Sequence, residues 1–177
     1  MDTTWRAVLW QQFGAAIDML DDAIRACPDE QWTGRILSDR SPQPEFSQFW
    51  YVAYHTLFWL DFYLSNVSEG FAPPAPFTLG ELDPAGLLPE RVYSKRELQT
   101  YLAYGRKKCR ATIEALTDPL APQRCKPNAP DMSVAELLLY NMRHVQEHAA
   151  QLSLVLGQKA GLASGWVGRA RGQAADE

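Results

Sequence analysis

The stretch from Phe46 to Leu64 constrains this chain more than any other. It is apolar on nearly every side (Phe46, Phe49, Trp50, Val52, Ala53, Leu57, Phe58, Leu60, Leu64) and is broken by His55 and Asp61. No Gly or Pro lies between Phe46 and Asn66. That favours one continuous helix over a pair of buried strands, although aromatic residues suit strands too. Its uninterrupted apolar runs are far shorter than the ~20 residues needed to span a bilayer. A helix that is apolar all round must be enclosed, so the rest of the chain has to supply its walls.

Three further segments carry helical periodicity. One runs from about Thr3 to Cys27, with the stripe Trp5, Leu9, Phe13, Ala16, Ile17, Leu20, Ile24 and a stop at Pro28. The apolar helix follows, from about Pro44 to Asn66, with proline tolerated in its first turn. A third runs from about Lys95 to Leu116, opened by the capping box Ser94/Glu97 and striped by Leu98, Tyr101, Leu102, Gly105, Cys109, Ile113, Leu116. The fourth runs from about Val134 to Leu156, opened by Ser133/Glu136 and striped by Val134, Leu137, Leu138, Asn141, Val145, His148, Leu152, Val155. Gly157 is its expected stop.

The connections are unequal. Pro28 to Gln43 is moderately long, and Thr117 to Met132 carries Pro119, Pro122, Pro127 and Pro130. The link from Val67 to Tyr93 is long and proline-rich (Pro73, Pro74, Pro76, Pro84, Pro89), the mark of a functional loop or a crossover. No convincing strand is present. The expected fold is all-α: a four-helix bundle with a long crossover between helices 2 and 3. The bundle domain is expected over 1–160 and a tail over 161–177, with Trp166 tucked onto the bundle and the last ten residues frayed.

Composition narrows the function classes. A chain of 177 residues with 46% hydrophobic content suits one globular domain. A net charge of −4 argues against generic nucleic-acid or anionic-membrane binding. Three cysteines (Cys27, Cys109, Cys125), an odd number without CxxC, make neither a disulfide framework nor a zinc ribbon. Free thiols suit a reducing cytosol. Met1-Asp2-Thr3-Thr4-Trp5 carries no basic segment leading into an apolar core, so no signal peptide is expected and a cytoplasmic location is. No GxGxxG, Walker loop or GxSxG occurs, which leaves nucleotide binding and serine hydrolysis without support.

The chemistry rests on the three histidines, His55, His144 and His148. His144 and His148 are one helical turn apart and share a face. His148 falls on the apolar stripe of its helix, His144 flanks it, and His55 sits mid-way along the most apolar helix. Bundle cores build metal sites from facing helices. Three neutral imidazoles around a borderline metal leave a fourth position for water or substrate. Burial keeps imidazole neutral, the form a metal needs. Bland readings stand beside this one: HxxxH pairs are common on helix surfaces, and a lone His in an apolar helix is often a hydrogen-bonded core residue.

Other residues carry less. Tyr140, one turn before His144, is placed to lend a hydroxyl to the open position and reads equally as a core aromatic with a polar tip. Gln151, three residues after His148, is placed to orient that ring and reads equally as a surface glutamine. His144-Val145-Gln146-Glu147-His148 fits the HxxEH pattern of inverted zinc proteases. The only acidic residues downstream are Asp176 and Glu177, and Glu147 points about 100° away from His148, so a protease is rejected and Glu147 is expected on the surface. Asp61 lies on a different face from His55. Lys107, Lys108 and Arg110 read as a solvated face, and Cys109 as an inert core thiol.

One His in the second helix (Tyr54-His55-Thr56-Leu57) followed by His144-Val145-Gln146-Glu147-His148-Ala149-Ala150-Gln151-Leu152 in the fourth resembles the DinB-like (DinB/YfiT-like) family of four-helix metal proteins. The helix start Ser94 to Tyr101 after a proline-rich link fits the same family, and the likeness covers about Trp5 to Gly157. Ala150 departs from it, since many relatives carry Gly there. The resemblance implies an unusual bundle topology with a long link between helices 2 and 3. It implies a divalent metal, zinc or nickel, on His55, His144 and His148, and homodimers. It also implies a low-molecular-weight thiol as cosubstrate, because characterised relatives include a mycothiol-dependent maleylpyruvate isomerase and bacillithiol S-transferases. Two functions follow as expectations: a metal-dependent S-transferase or hydrolase acting on a small molecule, or a non-catalytic dimeric metal-binding or interaction module. A metal-free bundle with core histidines is the third.

Overall fold

The computed structural model describes residues 3–36, 43–66, 69–125 and 131–172. Among these it contains four long helices: α1 (Thr3–Ala26), α3 (Phe49–Ser65), α4 (Lys95–Glu114) and α5 (Val134–Ala160). A single turn, α2 (Asp29–Trp32), follows Pro28. The apolar segment begins with a 3-10 turn at Pro44–Ser47 and becomes α-helical only at Phe49; it ends where Asn66 takes the left-handed conformation, φ 45°. Both predicted capping boxes form, Ser94/Glu97 on α4 and Ser133/Glu136 on α5.

Each helix has two neighbours. α1 packs on α4 and α5, and α3 packs on the same two from the other side. Helices α1 and α3 therefore face each other across one diagonal of the bundle, and α4 and α5 across the other. Cross-contacts give the directions. Arg6 near the start of α1 donates to Leu116 O beyond the end of α4, and Lys95 at the start of α4 pairs with Asp29 beyond the end of α1, so these two are antiparallel. Trp50 and Tyr93 meet at one end of α3 and α4, and Ser65 and Lys108 further along, so these two are parallel. Asn141 donates to Leu60 O, and His148 lies against His55, so α5 runs against α3. The order is up-down-down-up.

That order explains the long link. A 17-residue helix is about 25 Å long. The chain leaving α3 must travel back that distance before α4 can start parallel to it. The link is pinned as it returns. Phe71 packs edge-on against Phe58 and Phe62, and Phe77 stacks on Tyr101 with centroids 4.4 Å apart. Tyr93 sits against Tyr54 at 5.0 Å and accepts the Trp32 indole N–H through its carbonyl at 2.8 Å.

The core follows the predicted stripes: Phe13, Ile17, Leu20 and Ile24 of α1, Phe49, Ala53, Leu57 and Leu60 of α3, Leu98, Tyr101 and Ile113 of α4, and Leu138, Val145 and Leu152 of α5 are all buried, and Ala149, outside the predicted stripe, joins them. Four expectations are corrected. Trp5 is 63% exposed, at the open end of its stripe. Helix α5 runs past Gly157 to Ala160 and stops at Gly161, φ 69°. Gly157 serves close approach instead, since a Cβ there would lie 2.9 Å from Ala163 Cβ, where the chain doubles back. Lys108 is not part of a solvated face: it donates to Asp61, which is fully buried and also accepts from Tyr101 OH at 3.0 Å.

The tail is the fourth correction. Trp166 is 76% exposed and does not anchor it. Ala170 N–H donates to Gln11 O at 2.8 Å, and Ala170 rests on Gly14, where a Cβ would collide at 2.5 Å. Asp18, buried on α1, accepts from Arg106 Nε at 3.0 Å and from Arg171 N–H at 2.6 Å, while the Arg171 guanidinium pairs with Asp22. Gly168, whose carbonyl accepts from Gln12 Nε2 at 3.3 Å, Ala170 and Arg171 are thus held, and 173–177 of the expected frayed end, with Asp176 and Glu177, lie outside the described residues. So do Met1 and Asp2, Val67 at the start of the link, and Pro127 and Pro130.

Removing one partner of a buried ion pair leaves the other charge stranded and costs about 3–5 kcal/mol. The Lys108→Met variant should therefore lose roughly 3 kcal/mol or somewhat less, because Tyr101 still serves Asp61. Urea unfolding checks this: the midpoint should fall with the slope unchanged.

Candidate metal centre

Antiparallel packing of α3 on α5 brings the three histidines together. Ring centroids are 5.3 Å apart for His55 and His144, 5.2 Å for His55 and His148, and 4.6 Å for His144 and His148. Each residue offers one ring nitrogen to a set lying within 4.8 Å of one another. Among the described residues no other His, Cys, Asp or Glu joins a set of this kind.

Two of the rings are oriented by hydrogen bonds. Glu81, in a 3-10 turn (Gly80–Leu82) of the link, lies 2.7 Å from His55 Nδ1 through Oε2. A carboxylate can only accept, so His55 Nδ1 carries a proton, and in the neutral ring the lone pair is on Nε2. The same carboxylate accepts from Trp59 Nε1 at 2.9 Å and from Tyr51 OH. Tyr51, His55 and Trp59 stand at i, i+4 and i+8, one stripe of α3, and all three converge on one side chain that is 5% exposed. On α5, Gln151 Oε1 accepts from His148 Nδ1 at 2.9 Å, which leaves Nε2 as the free lone pair of that ring.

His144 is less provided for. Its Nε2 faces His55 Nε2 at 3.4 Å, and its Nδ1 is buried with no hydrogen-bond partner among the described residues. In their neutral forms His55 and His148 keep an Nε2 lone pair, and the His144 ring gathers with them. This donor set fits a borderline divalent cation, which takes neutral imidazole nitrogen readily.

The electrostatics favour the same form. Burial, followed by the neighbouring His148 and His55, pushes His144 down from 6.5 to about 3. Burial also lowers His148, against the opposing effect of its Gln151 hydrogen bond. Burial acts to raise Glu81, but the hydrogen bond and charge of His55 and the bonds from Tyr51 and Trp59 outweigh it, so the carboxyl lies below its ordinary value. Tyr51 is pushed well above its usual range by burial and by Glu81, and stays a donor.

A cleft of about 480 Å³ opens beside His55 and His148. Its walls include Phe46, Val52 and Trp59, with Glu81 and Gln151 at its polar edge. The link thus supplies one side of the cleft. Tyr140 packs edge-on against Tyr63 at 5.4 Å, and Tyr63 in turn lies edge-on to His144, so Tyr140 is one ring removed from the imidazoles. Glu147 is exposed. Cys109 is fully buried and burial raises its thiol far above the ordinary range, in keeping with an inert core residue.

Sequence reasoning missed Glu81, Tyr51 and Trp59. The signal was present as the i, i+4, i+8 row of hydrogen-bonding side chains on α3, but two of them are aromatic and read as core. Nothing near Glu81 in the chain marks it out.

The lowered His144 has a consequence for stability. Between pH 6.5 and about 3 the unfolded chain takes up a proton at this position that the folded one refuses. Its contribution is complete above pH 6.5 and is lost as pH falls through that window. In chelator-treated protein, the urea midpoint should drop more steeply on acidification for wild type than for His144→Gln; parallel curves would contradict this.

A family model described as DinB superfamily matches residues 12–152. No curated protein and no solved structure matches the chain. The matched span takes in α3, the link with Glu81, and α5 through Gln151, so it contains every residue of the centre just described. The chain belongs to the DinB superfamily.

Proposed function

We propose that this protein is a metal-dependent enzyme in which His55, His144 and His148 hold a divalent cation, zinc or nickel, and that it acts on a small molecule as a thiol-dependent S-transferase or a hydrolase. The observation that carries the reading is the convergence of three imidazole rings from two helices beside an open cleft. When bound, such a cation supplies Lewis acidity that lowers the pKa of a thiol or water. A thiol suits it because thiolate is a good ligand for these metals.

The chain's own residues do the rest. Glu81 and Gln151 hold the His55 and His148 rings with their Nε2 lone pairs free. Phe46, Val52 and Trp59 offer an apolar wall against which the carbon skeleton of an electrophile packs. Among the described residues the cluster offers three ligand nitrogens and no fourth protein ligand, which supports chemistry over a closed structural site.

Elemental analysis of protein purified without chelator tests the metal. Roughly one zinc or nickel per chain is expected for a three-histidine site. His148→Ala should lose the ion while its far-ultraviolet circular dichroism stays helical. Wild-type protein with no metal, or a variant with undiminished metal, would end the reading. A screen pairing small thiols with an electrophile then separates transferase from hydrolase.

The alternative, a non-catalytic dimeric module, draws on a different observation. Trp5, Val8 and Leu139 are exposed apolar side chains around a groove of about 210 Å³ between α1 and α5. A homodimer belongs to both readings. Light scattering should return about twice 19.9 kDa, and Leu139→Asp should halve it. A cytoplasmic location is proposed from three unpaired cysteines. Among the described residues no helix is long and apolar enough to cross a membrane.

A further inference from the structure

We propose that Glu81 is a positioning residue that ties the long α3–α4 link to the metal centre, so that cation binding and docking of the link against α3 reinforce each other. The proposal rests on the three-histidine metal reading above and adds a residue from outside the two helices that carry the ligands.

The geometry singles Glu81 out. It is the one carboxylate hydrogen-bonded to any of the three imidazoles among the described residues. Its other bonds go to Tyr51 and Trp59, one turn before and one turn after His55 on the same stripe. A single carboxylate thereby locks the tautomer of His55, fixes its ring plane, and places a negative charge behind the ring. That charge makes the far nitrogen a stronger donor and offsets part of the charge of a cation held by three neutral ligands. Among the described residues His148 has only a neutral amide in the equivalent position, and His144 has no partner there. His55 is therefore the ligand through which the surroundings set the affinity.

The reverse direction follows by linkage. The Glu81 side chain is 5% exposed although it sits in a loop that is otherwise largely exposed; Leu79, Asp83, Pro84, Ala85 and Leu87 all face solvent. Aromatic anchors hold the link on both sides, Phe77 before Glu81 and Tyr93 after it. Between them, Tyr54 OH donates to Thr78 O at 3.3 Å and Leu88 packs on the core, and the hydrogen bonds of Glu81 add a grip on the row Tyr51, His55 and Trp59 of α3. A cation on His55 strengthens the Nδ1–H bond to Glu81, and so holds this stretch, with its side of the cleft, more firmly.

The test titrates Zn²⁺ against a chromophoric chelator with wild type, Glu81→Gln, Tyr51→Phe and His148→Ala. Glu81→Gln keeps size and hydrogen-bonding capacity but removes the charge. Its dissociation constant should rise about 10–100-fold, as is usual when an outer partner of a ligating histidine is lost. Tyr51→Phe, which removes a partner of Glu81 but leaves its charge and its His55 bond, should change it far less. Co²⁺ provides a spectroscopic reading: the visible bands of the Glu81→Gln complex should shift, which simple loosening of the fold would not produce. Limited proteolysis gives the second arm. Zn²⁺ should slow cleavage within 79–88 in wild type and leave it unchanged in Glu81→Gln. Wild-type affinity in Glu81→Gln, or metal-independent cleavage in wild type, overturns the proposal while leaving the three-histidine site standing. Absence of Zn²⁺ binding by wild type, with His148→Ala behaving the same, overturns both.

Discussion

Two neighbouring helices that point the same way cannot be joined by a tight turn. In this bundle α3 and α4 are such a pair, and the remaining architecture follows from accommodating them. The chain must run back along their length, so a long link is obligatory. A link that is obligatory is also available for function. Here its aromatic residues fill the grooves it crosses, and Glu81 lands on the stripe of α3 that carries His55. Proline suits the task because it stiffens an extended segment and keeps it from turning helical.

The bundle interior handles polar groups in two ways. Asp61 and Asp18 are buried carboxylates whose charges are met by Lys108 and Arg106 and by further donors. These are closed arrangements, with every strong acceptor supplied. The histidine cluster is different. It lies at the side of the α3–α5 seam, half-buried, where desolvation favours the neutral forms of His144 and His148 and a cleft leads out. Among the described residues its rings meet at Nε2 of His55 and His144, 3.4 Å apart, and Nδ1 of His144 has no partner. Closed polar networks hold helices together; the open one is where a ligand is needed to complete the pattern.

Much of this was legible from residues alone. The four helical segments and both capping boxes are local features, written in short-range spacing, and the structure places them within a few residues of expectation. The pairing of His144 with His148 is likewise local, a single turn of one helix. Departures arose where a residue's role depends on what lies across the bundle. Lys108 looked like one of a basic run, because nothing in its own helix shows that buried Asp61 waits opposite. Gly157 looked like a stop, because the close return of Ala163 is invisible in α5 itself. Trp166 looked like an anchor for the tail, yet it is exposed. The anchor is instead a set of charge-assisted bonds from Arg171 to α1.

The amino-acid order on its own determined that this chain is a helical bundle, where α1, α4 and α5 begin, and that three histidines stand on two of the helices. Periodicity and capping are set by neighbours in the chain, so they need no partner to be read. Only the tertiary structure decided that α1 and α3 lie across a diagonal, that α3 meets α5 in the register that joins His55 to His144 and His148, and that Glu81 closes behind His55. Those outcomes depend on side chains 26 to 93 positions apart fitting one another in space, and such fits are a property of the packed whole.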